Sequence, residues 1–238
     1  MSLISQISIR IYHKKYPQLE LKQDLIAEEV KVIILKNKKK LAELYTSPLY
    51  LKELCAGFLL TELNSKLPLE NLEIIKHKGF YSINLKNPLL KTSKKFGQPP
   101  EKDFILSAEE ILEIFKEFLN TGSETFRKTG CTHAVGIAEN KKILFLAEDI
   151  SRFCALDKVI GWCILNQISL YNKLLLTTGR ITLKFVKKAE KAGIKVILSK
   201  GAPSYSAVKF ARRKKISVLG FVRENRFNVY SGAERISV

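Results

Sequence analysis

The 238-residue chain holds four cysteines, Cys55, Cys131, Cys154 and Cys163, and no two of them stand at Cys-x-x-Cys spacing. A chain of this length with so few thiols is not built on a disulfide framework, and a reducing cytoplasm is the expected compartment. No apolar run approaches the roughly 18 residues that a membrane span needs, so no membrane partner is expected. The first fifteen residues alternate apolar and polar and reach His13-Lys14-Lys15 early. They hold no long apolar stretch and no small-residue cleavage site, so no signal peptide is expected. Internal repeats and low-complexity tracts are also missing. Acidic residues are scarce in one half only. Residues 121–238 carry 22 Lys/Arg against 8 Asp/Glu, whereas residues 1–120 carry 19 against 15. The net charge of +18 therefore concentrates in the second half, and with it any attraction for phosphates or polyanions. Solvated lysines would give a similar total. Arg152, Arg180, Arg212, Arg213, Arg223 and Arg226 say more, because the guanidinium fork matches phosphate oxygens two at a time.

What is present is a globular chain, 46% hydrophobic, long enough to bury a substantial core. Val30–Leu35 reads as a strand, Asn37–Lys40 as its turn and Leu41–Tyr45 as the returning strand. Ser47-Pro48 is expected to open a helix with proline in its first turn, burying Leu51, Leu54, Cys55, Phe58 and Leu59. Leu72–Ile75 and Phe80–Leu85 form a hairpin around Lys78-Gly79. Asn87–Asp103, with Pro88, Gly97, Pro99 and Pro100, is the expected linker. Ser107 and Glu110 make a capping box for a helix that buries Ile111, Leu112, Phe115, Phe118 and Leu119 and stops at Asn120-Thr121-Gly122. Strands and helices then alternate. Strands are expected at His133–Ala138, Ile143–Ala147, Leu174–Thr178, Ile194–Ser199 and Ile216–Val222. Helices are expected at Ala155–Gln167, Thr182–Lys191 and Pro203–Lys214. Such alternation makes a layered α/β sheet with helices on both faces. Two domains follow: residues 1–120, a smaller α+β unit, and residues 121–238, the basic unit.

In layered α/β sheets ligands bind beyond the strand ends. The junctions there are Thr129-Gly130-Cys131-Thr132-His133, Glu148–Arg152, Thr178-Gly179-Arg180, Ser199–Ser204 and Gly220–Arg226. Glycine lets backbone approach a ligand, helix starts offer free amides, and arginine adds charge. Five such junctions in one half point to a shared polar site.

These same segments resemble the formate dehydrogenase accessory sulfurtransferases, the FdhD/NarQ family. The resemblance rests on Thr129-Gly-Cys-Thr-His-Ala134, Glu148-Asp149 through Leu156-Asp157-Lys158-Val-Ile-Gly161, Thr178-Gly-Arg180, Ala202-Pro-Ser204, and Gly220-Phe-Val-Arg223 through Asn228-Val-Tyr230 to Arg235. A weaker match at Leu54–Glu62 extends it over most of the chain. It implies a cytidine-deaminase-like layered α/β/α fold for the C-terminal domain. It implies sulfur transfer from a cysteine desulfurase to the molybdenum bis(guanine dinucleotide) cofactor on its way to formate dehydrogenase. The ligand is then of guanine-nucleotide type. The family's Phe-Val-Arg-x-x-Arg stretch, which contributes to the cofactor site, is here Phe221, Val222, Arg223, Glu224, Asn225 and Arg226. The junctions add Thr129, Gly130, His133, Arg152, Gly179, Arg180 and Ser204. The resemblance leaves a homodimer open.

The chain departs from the family where sulfur is carried. The family's Cys-x-x-Cys loop corresponds to Thr92-Ser93-Lys94-Lys95-Phe96-Gly97, without cysteine, and its Gly-Arg-His reads Ser151-Arg152-Phe153. A persulfide relay needs a thiolate. Cys131, at a polar junction two residues from His133, is the substitute expected. Cys154 is second, at a helix start whose amides lower a thiol pKa, and Cys55 and Cys163 belong to apolar helix faces. The alternative is a cofactor-binding or delivery module that transfers no sulfur. A zinc nucleobase deaminase needs His-x-Glu and Pro-Cys-x-x-Cys. Ala134-Val135 follows His133 and no Cys-x-x-Cys exists, so no zinc is expected. No RNA-recognition motif with interleaved aromatics is present either, which argues against nucleic acid.

Overall fold

The structure, a computed structural model, describes residues 3–66, 72–86, 90–91, 105–122 and 124–238. Strands β1 (Ile4–His13) and β2 (Tyr16–Ala27) form an antiparallel ribbon that, among the described residues, pairs only with itself. Strands β3 (Val30–Lys36) and β4 (Lys39–Thr46) turn through Asn37 and Lys38, both at positive φ, the two-residue turn whose twist suits a hairpin. Helix α1 (Leu51–Leu63) follows. Then come β5 (Ser65–Lys66), β6 (Leu72–Lys76), β7 (Phe80–Leu85) and β8 (Leu90–Lys91). β3 runs parallel to β7, giving the sheet order β4-β3-β7-β6. Val32, Ile34, Tyr81 and Ile83 of this sheet share a core with Leu54, Cys55 and Leu59 of α1.

The second unit begins before residue 121. β9 (Leu106–Ser107) leads into α2 (Ala108–Thr121), whose start carries the expected capping box. The Ser107 hydroxyl accepts from the Glu110 amide at 3.1 Å, and the Glu110 carboxylate accepts from the Ser107 amide at 3.0 Å. The short α3 (Glu124–Thr129) precedes β10 (His133–Glu139) and β11 (Lys142–Asp149). Next are α4 (Arg152–Leu165), β12 (Leu174–Thr177), α5 (Leu183–Ala192), β13 (Val196–Ser199), α6 (Tyr205–Arg213), β14 (Ser217–Gly220), β15 (Asn228–Ser231) and β16 (Ile236–Ser237). Six strands form one sheet in the order β11-β10-β12-β13-β14-β15. β12, β13 and β14 are parallel, and the remaining pairings are antiparallel. Helices α4, α5 and α6 cover one face. Helix α2 covers the other through Ile111, Ile114, Phe115 and Phe118, against Ala134, Leu174, Leu176 and Leu198. The mixed α/β architecture stands as indicated, but α4, α5 and α6 of the alternating run share one face, and the other face is covered by α2, which precedes that run. The packing places α2 with the C-terminal sheet, so that core reaches back past the expected boundary at residue 120.

Three local readings are corrected. Helix α1 starts at Leu51, after Tyr50 in the left-handed region at φ 58°, because Thr46 and Ser47 bond across to the second unit instead of capping. Helix α4 starts at Arg152, not Ala155, because Ser151 is its N-cap and accepts from the Cys154 amide at 3.4 Å. The last parallel strand ends at Gly220, not Val222, because Phe221 turns to φ 51°. The linker reading at 87–103 lies outside the described residues except Leu90 and Lys91.

Two helices fix how the units meet. α1 crosses α4 where each presents a glycine. A Cβ on Gly57 would sit 1.9 Å from the Asp157 carbonyl oxygen, and one on Gly161 would sit 1.8 Å from that of Glu53. Only glycine lets the backbones approach this closely. Buried charge reinforces the crossing. Lys188 of α5 bonds both Asp157 carboxylate oxygens at 3.0 and 2.8 Å and the Thr61 hydroxyl at 2.9 Å.

Candidate functional site

The antiparallel placement of β10 brings its first residue to the same sheet end as the last residues of β12, β13 and β14. His133 pairs with Asp149, Val135 with Thr177, and Thr177 with Ser199. All five junctions therefore gather at one end of the sheet. Backbone and hydroxyl bonds then stitch them together. Thr178 N–H donates to Ala134 O, Lys200 N–H to Thr177 O, Phe221 N–H to Gly201 O and Val222 N–H to Ser199 O, at 3.0–3.2 Å. The Ser199 hydroxyl donates to Gly179 O at 2.6 Å and accepts from Gly201 N–H at 2.8 Å. The loops are rigid because their polar groups are satisfied by one another. Phe221 adds a bulky residue at positive φ, a strained conformation of the kind found at binding junctions.

Within this frame His133, Arg152, Gly179 and Arg180 come together. A Cβ on Gly179 would lie 3.2 Å from Arg152 Cδ and 3.6 Å from His133 Nδ1. His133 is half-buried. Burial, and then the charges of Arg152 and Arg180, lower its pKa below the usual histidine value, with Asp149 opposing. Burial and Arg180 lower the Arg152 pKa as well. A cavity of about 260 Å³ opens beside His133, lined also by Phe126, Thr132, Thr178 and Lys200.

The other expected residues divide. Arg223 reaches the site end, but its Nη1 donates to Lys200 O at 2.7 Å and Val222 O at 2.9 Å. Its Nη1 thereby ties the loop to Lys200. Glu224, Asn225 and Arg226 are exposed in the connection from β14 to β15, where Arg226 O accepts from Arg223 N–H at 2.9 Å. Val222 is buried in the sheet core. The Ser204 hydroxyl caps α6 by accepting from Ala207 N–H at 3.3 Å. Thr129 accepts from Cys131 N–H at 3.3 Å, and Gly130 turns the chain at φ 67°.

Of the four cysteines only Cys131 is exposed. It opens on a groove of about 570 Å³ lined by Ala27, Glu29, Tyr45, Ile150 and Ser151. Its exposure fits the reading of its polar junction. The reading of Cys154 is corrected. Its thiol lies against Tyr45 O at 3.6 Å, and burial, helped by Asp149, pushes its pKa up to about 11. Position at a helix start does not outweigh removal from water. Burial raises Cys55 and Cys163 to about 12.

The acidic residues at the end of β11 were not legible as scaffold. Fully buried Lys158 bonds Asp149 at 2.6 Å and Ser47 O at 2.9 Å. Asp149 also accepts from the Thr46 hydroxyl at 2.5 Å and from Ser151 N–H at 2.8 Å. Glu148 accepts from the amides of Thr125 and Phe126 and from the Thr132 hydroxyl, tying α3 to the Cys131 junction. The Asp149-to-Lys158 spacing was a usable signal, since nine residues across a helix start bring the two side chains together. Among the described residues no three His, Cys, Asp or Glu side chains group as metal ligands. No described helix is long and apolar enough to cross a membrane.

Comparison with known proteins bears on this site. The sequence model of the FdhD/NarQ family matches residues 27–237. "Sulfur carrier protein FdhD" of Bacillus subtilis is 29% identical over 93% of this chain and 95% of its own length. The protein of the same name from Staphylococcus haemolyticus is 31% identical over 90% of each. Among solved structures, a protein assigned as a formate dehydrogenase accessory protein, from Desulfotalea psychrophila, superposes with a TM-score of 0.81. It is 27% identical, and the match covers 99% of this chain and 100% of that one.

Proposed function

The chain belongs to the FdhD/NarQ family, and from that membership we propose that it is a sulfur carrier in formate dehydrogenase maturation, working in the cytoplasm with Cys131 as the sulfur-bearing thiol. The observation that carries the assignment to Cys131 is exposure. It is the one cysteine that a donor can reach, and it faces a groove. The step is thiol exchange. The Cys131 thiolate attacks the terminal sulfur of a persulfide on the cysteine desulfurase. A new S–S bond forms on Cys131, the donor's S–S bond breaks, and the donor cysteine leaves as thiolate.

The cargo site we assign is the gathered sheet end. The strand order, with β10 antiparallel between β11 and β12 and three parallel strands beyond, supports the cytidine-deaminase-like reading of the layer. The molybdenum bis(guanine dinucleotide) cofactor is the substrate, the acceptor of sulfur. The donor set fits its nucleotide arms: the cavity beside His133 lined by Thr178 and Lys200, and the buried, unpartnered Arg152 Nε. Phe221 and Arg223 shape the neighbouring wall.

The test is to incubate the protein with a cysteine desulfurase and cysteine, digest it, and map added sulfur by mass spectrometry. One sulfur on the Cys131 peptide is expected, absent in Cys131→Ser. The missing Cys-x-x-Cys favours a second reading, a module that only holds or delivers cofactor. No sulfur on any cysteine, with GDP binding intact by calorimetry, would select that reading.

A further inference from the structure

Cys131 is the exposed thiol, and exposure alone does not aim a sulfur atom. Thiol exchange needs the attacking sulfur in line with the donor's S–S bond, so the loop that carries Cys131 has to hold a direction. Gly130 before it turns at φ 67°, and a Cβ built there would meet nothing within 4 Å. Glycine is therefore required by the turn and not by lack of space. With no side chain packed around it, such a turn keeps its shape only through hydrogen bonds.

Those bonds converge on Glu148. It stands on β11 opposite Ala134 of β10, so the sheet fixes its backbone. One carboxylate oxygen accepts from Thr125 N–H at 2.9 Å. The other accepts from Phe126 N–H and from the Thr132 hydroxyl, each at 3.2 Å. One side chain thus holds the start of α3 and the residue after Cys131. Between these two points the loop is bonded to itself. Gly130 N–H donates to Phe126 O at 2.7 Å. The Thr129 hydroxyl donates to Thr125 O at 2.8 Å and accepts from Cys131 N–H at 3.3 Å. The Cys131 backbone is therefore linked to Glu148 from both sides, through Thr129 and Thr125 before it and through Thr132 after it. Thr125 and Thr132 are buried, whereas Cys131 is exposed. Thr132 lines the cavity beside His133 and Cys131 lines the groove, so the clamp fixes the side on which the thiol lies.

We propose that Glu148 is a positioning residue for sulfur exchange at Cys131, acting through Thr129 and Thr132 without touching the sulfur. The inference rests on the reading of Cys131 as the sulfur carrier and deepens it. A carboxylate suits the task because it accepts from three donors and offers none. Bonds to a charged acceptor are also stronger than neutral ones. Glutamine in the same place would keep one acceptor oxygen and set an amide NH2 against a backbone N–H.

Two rates measured on the full chain test it. One is sulfur loading of Cys131 at increasing concentrations of a cysteine desulfurase supplied with cysteine. The other is alkylation of Cys131 by iodoacetamide, which reads exposure and thiol reactivity without a protein donor. Glu148→Gln, Thr129→Val and Thr129→Ser are compared with wild type, and thermal unfolding verifies each fold. Glu148→Gln and Thr129→Val are expected to slow loading at saturating donor by roughly tenfold or more, because misplaced reacting atoms lose rate steeply. Their alkylation rates and half-saturating donor concentrations should stay close to wild type. Thr129→Ser keeps the hydroxyl and should regain most of the rate that Thr129→Val loses. Amide hydrogen exchange at Cys131 should quicken in Glu148→Gln and Thr129→Val and not in Thr129→Ser. Thr129→Val leaves the carboxylate and its bonds to α3 in place, so the Thr129 pair decides the matter even where Glu148→Gln unfolds. Loading and alkylation lost in equal proportion would show a hidden thiol and not a misaimed one, and would overturn the inference. Wild-type protein that takes no sulfur at Cys131 would refute the carrier reading, and this role with it. Wild-type protein that loads, with both variants folded and loading as fast, would refute the role of Glu148 alone.

Discussion

At the scale of single residues, the end of β11 is where chemistry and stability share the same atoms. Asp149 and Lys158 are both fully buried and bonded at 2.6 Å. Removing one partner leaves the other charge uncompensated away from water. Asp149→Asn is therefore expected to cost about 3–5 kcal/mol, read by urea unfolding. Lys158→Met should cost a similar amount, and the double variant less than the sum, since the two act on one bond. Additive losses would show that the pair is not the unit. Asp149 also holds Ser151 N–H, so the same change should loosen the start of α4 and with it Arg152. His133 reports on this cluster directly. Its pKa is lowered by burial first and by the two arginines next. The folded protein therefore binds a proton at His133 less readily than the unfolded chain, whose histidines titrate near about 6.5. The sign follows: stability contributed by this residue is present above that value and falls as pH drops from it toward the folded midpoint. NMR titration should place the His133 midpoint below the ordinary histidine value. A midpoint above the ordinary value in the free protein would contradict the packing described.

At the scale of elements, the crossing of α1 over α4 joins the two halves of the chain, and its test is steric. Gly57→Ala would put a methyl group 1.9 Å from the Asp157 carbonyl oxygen, against backbone and not a flexible tip. Overpacking of this kind costs typically 1–3 kcal/mol, and more where backbone must move. Gly161→Ala should behave alike, because its Cβ meets Glu53 O. Wild-type midpoints in thermal unfolding for both would mean the helices have room. The same crossing shows what a sequence carries and what it hides. The α2 capping box was legible because every atom of it comes from four consecutive residues. The hairpin turn at Asn37-Lys38 was legible for the same reason, and the left-handed φ values bear it out. Helix α1 read correctly in its buried face but not in its start, because Thr46 and Ser47 bond to Asp149, 102–103 residues away. Ribbon β1–β2 is mostly exposed, so its alternation gave no core face to recognise. Gly57 and Gly161 each look like a weak spot in a helix until the partner helix is seen.

At the scale of the whole molecule, the candidate site was legible as a list of junctions and not as an assignment of roles. Local glycine and arginine patterns marked all five loops. That Arg223 Nη1 bonds the Lys200 carbonyl could not be read locally, because Lys200 comes from another loop. Accessibility of the thiols is likewise a property of the assembled fold, and it gives a test that needs no partner. Cys55 and Cys154 sit in the core shared by α1 and the four-stranded sheet, and Cys163, on α4, sits in the core under the six-stranded sheet. Burial raises all three pKa values, to about 12, about 11 and about 12. The thiolate fraction available for attack at neutral pH is correspondingly small. Reagent access to them also requires an opening that breaks the α1–α4 contact or the sheet core. Cys131 is exposed and needs no such opening. Native protein treated with a chromogenic disulfide reagent should therefore release one equivalent quickly. The remaining three should appear only in denaturant, or at the rate of unfolding. Cys131→Ser should abolish the fast phase and leave the slow one. Asp149→Asn should accelerate the slow phase at Cys154, which packs beside that loop, and leave Cys163 slow. Two fast equivalents in the native wild type would place a second thiol within reach of a sulfur donor and would remove the ground on which Cys131 is assigned.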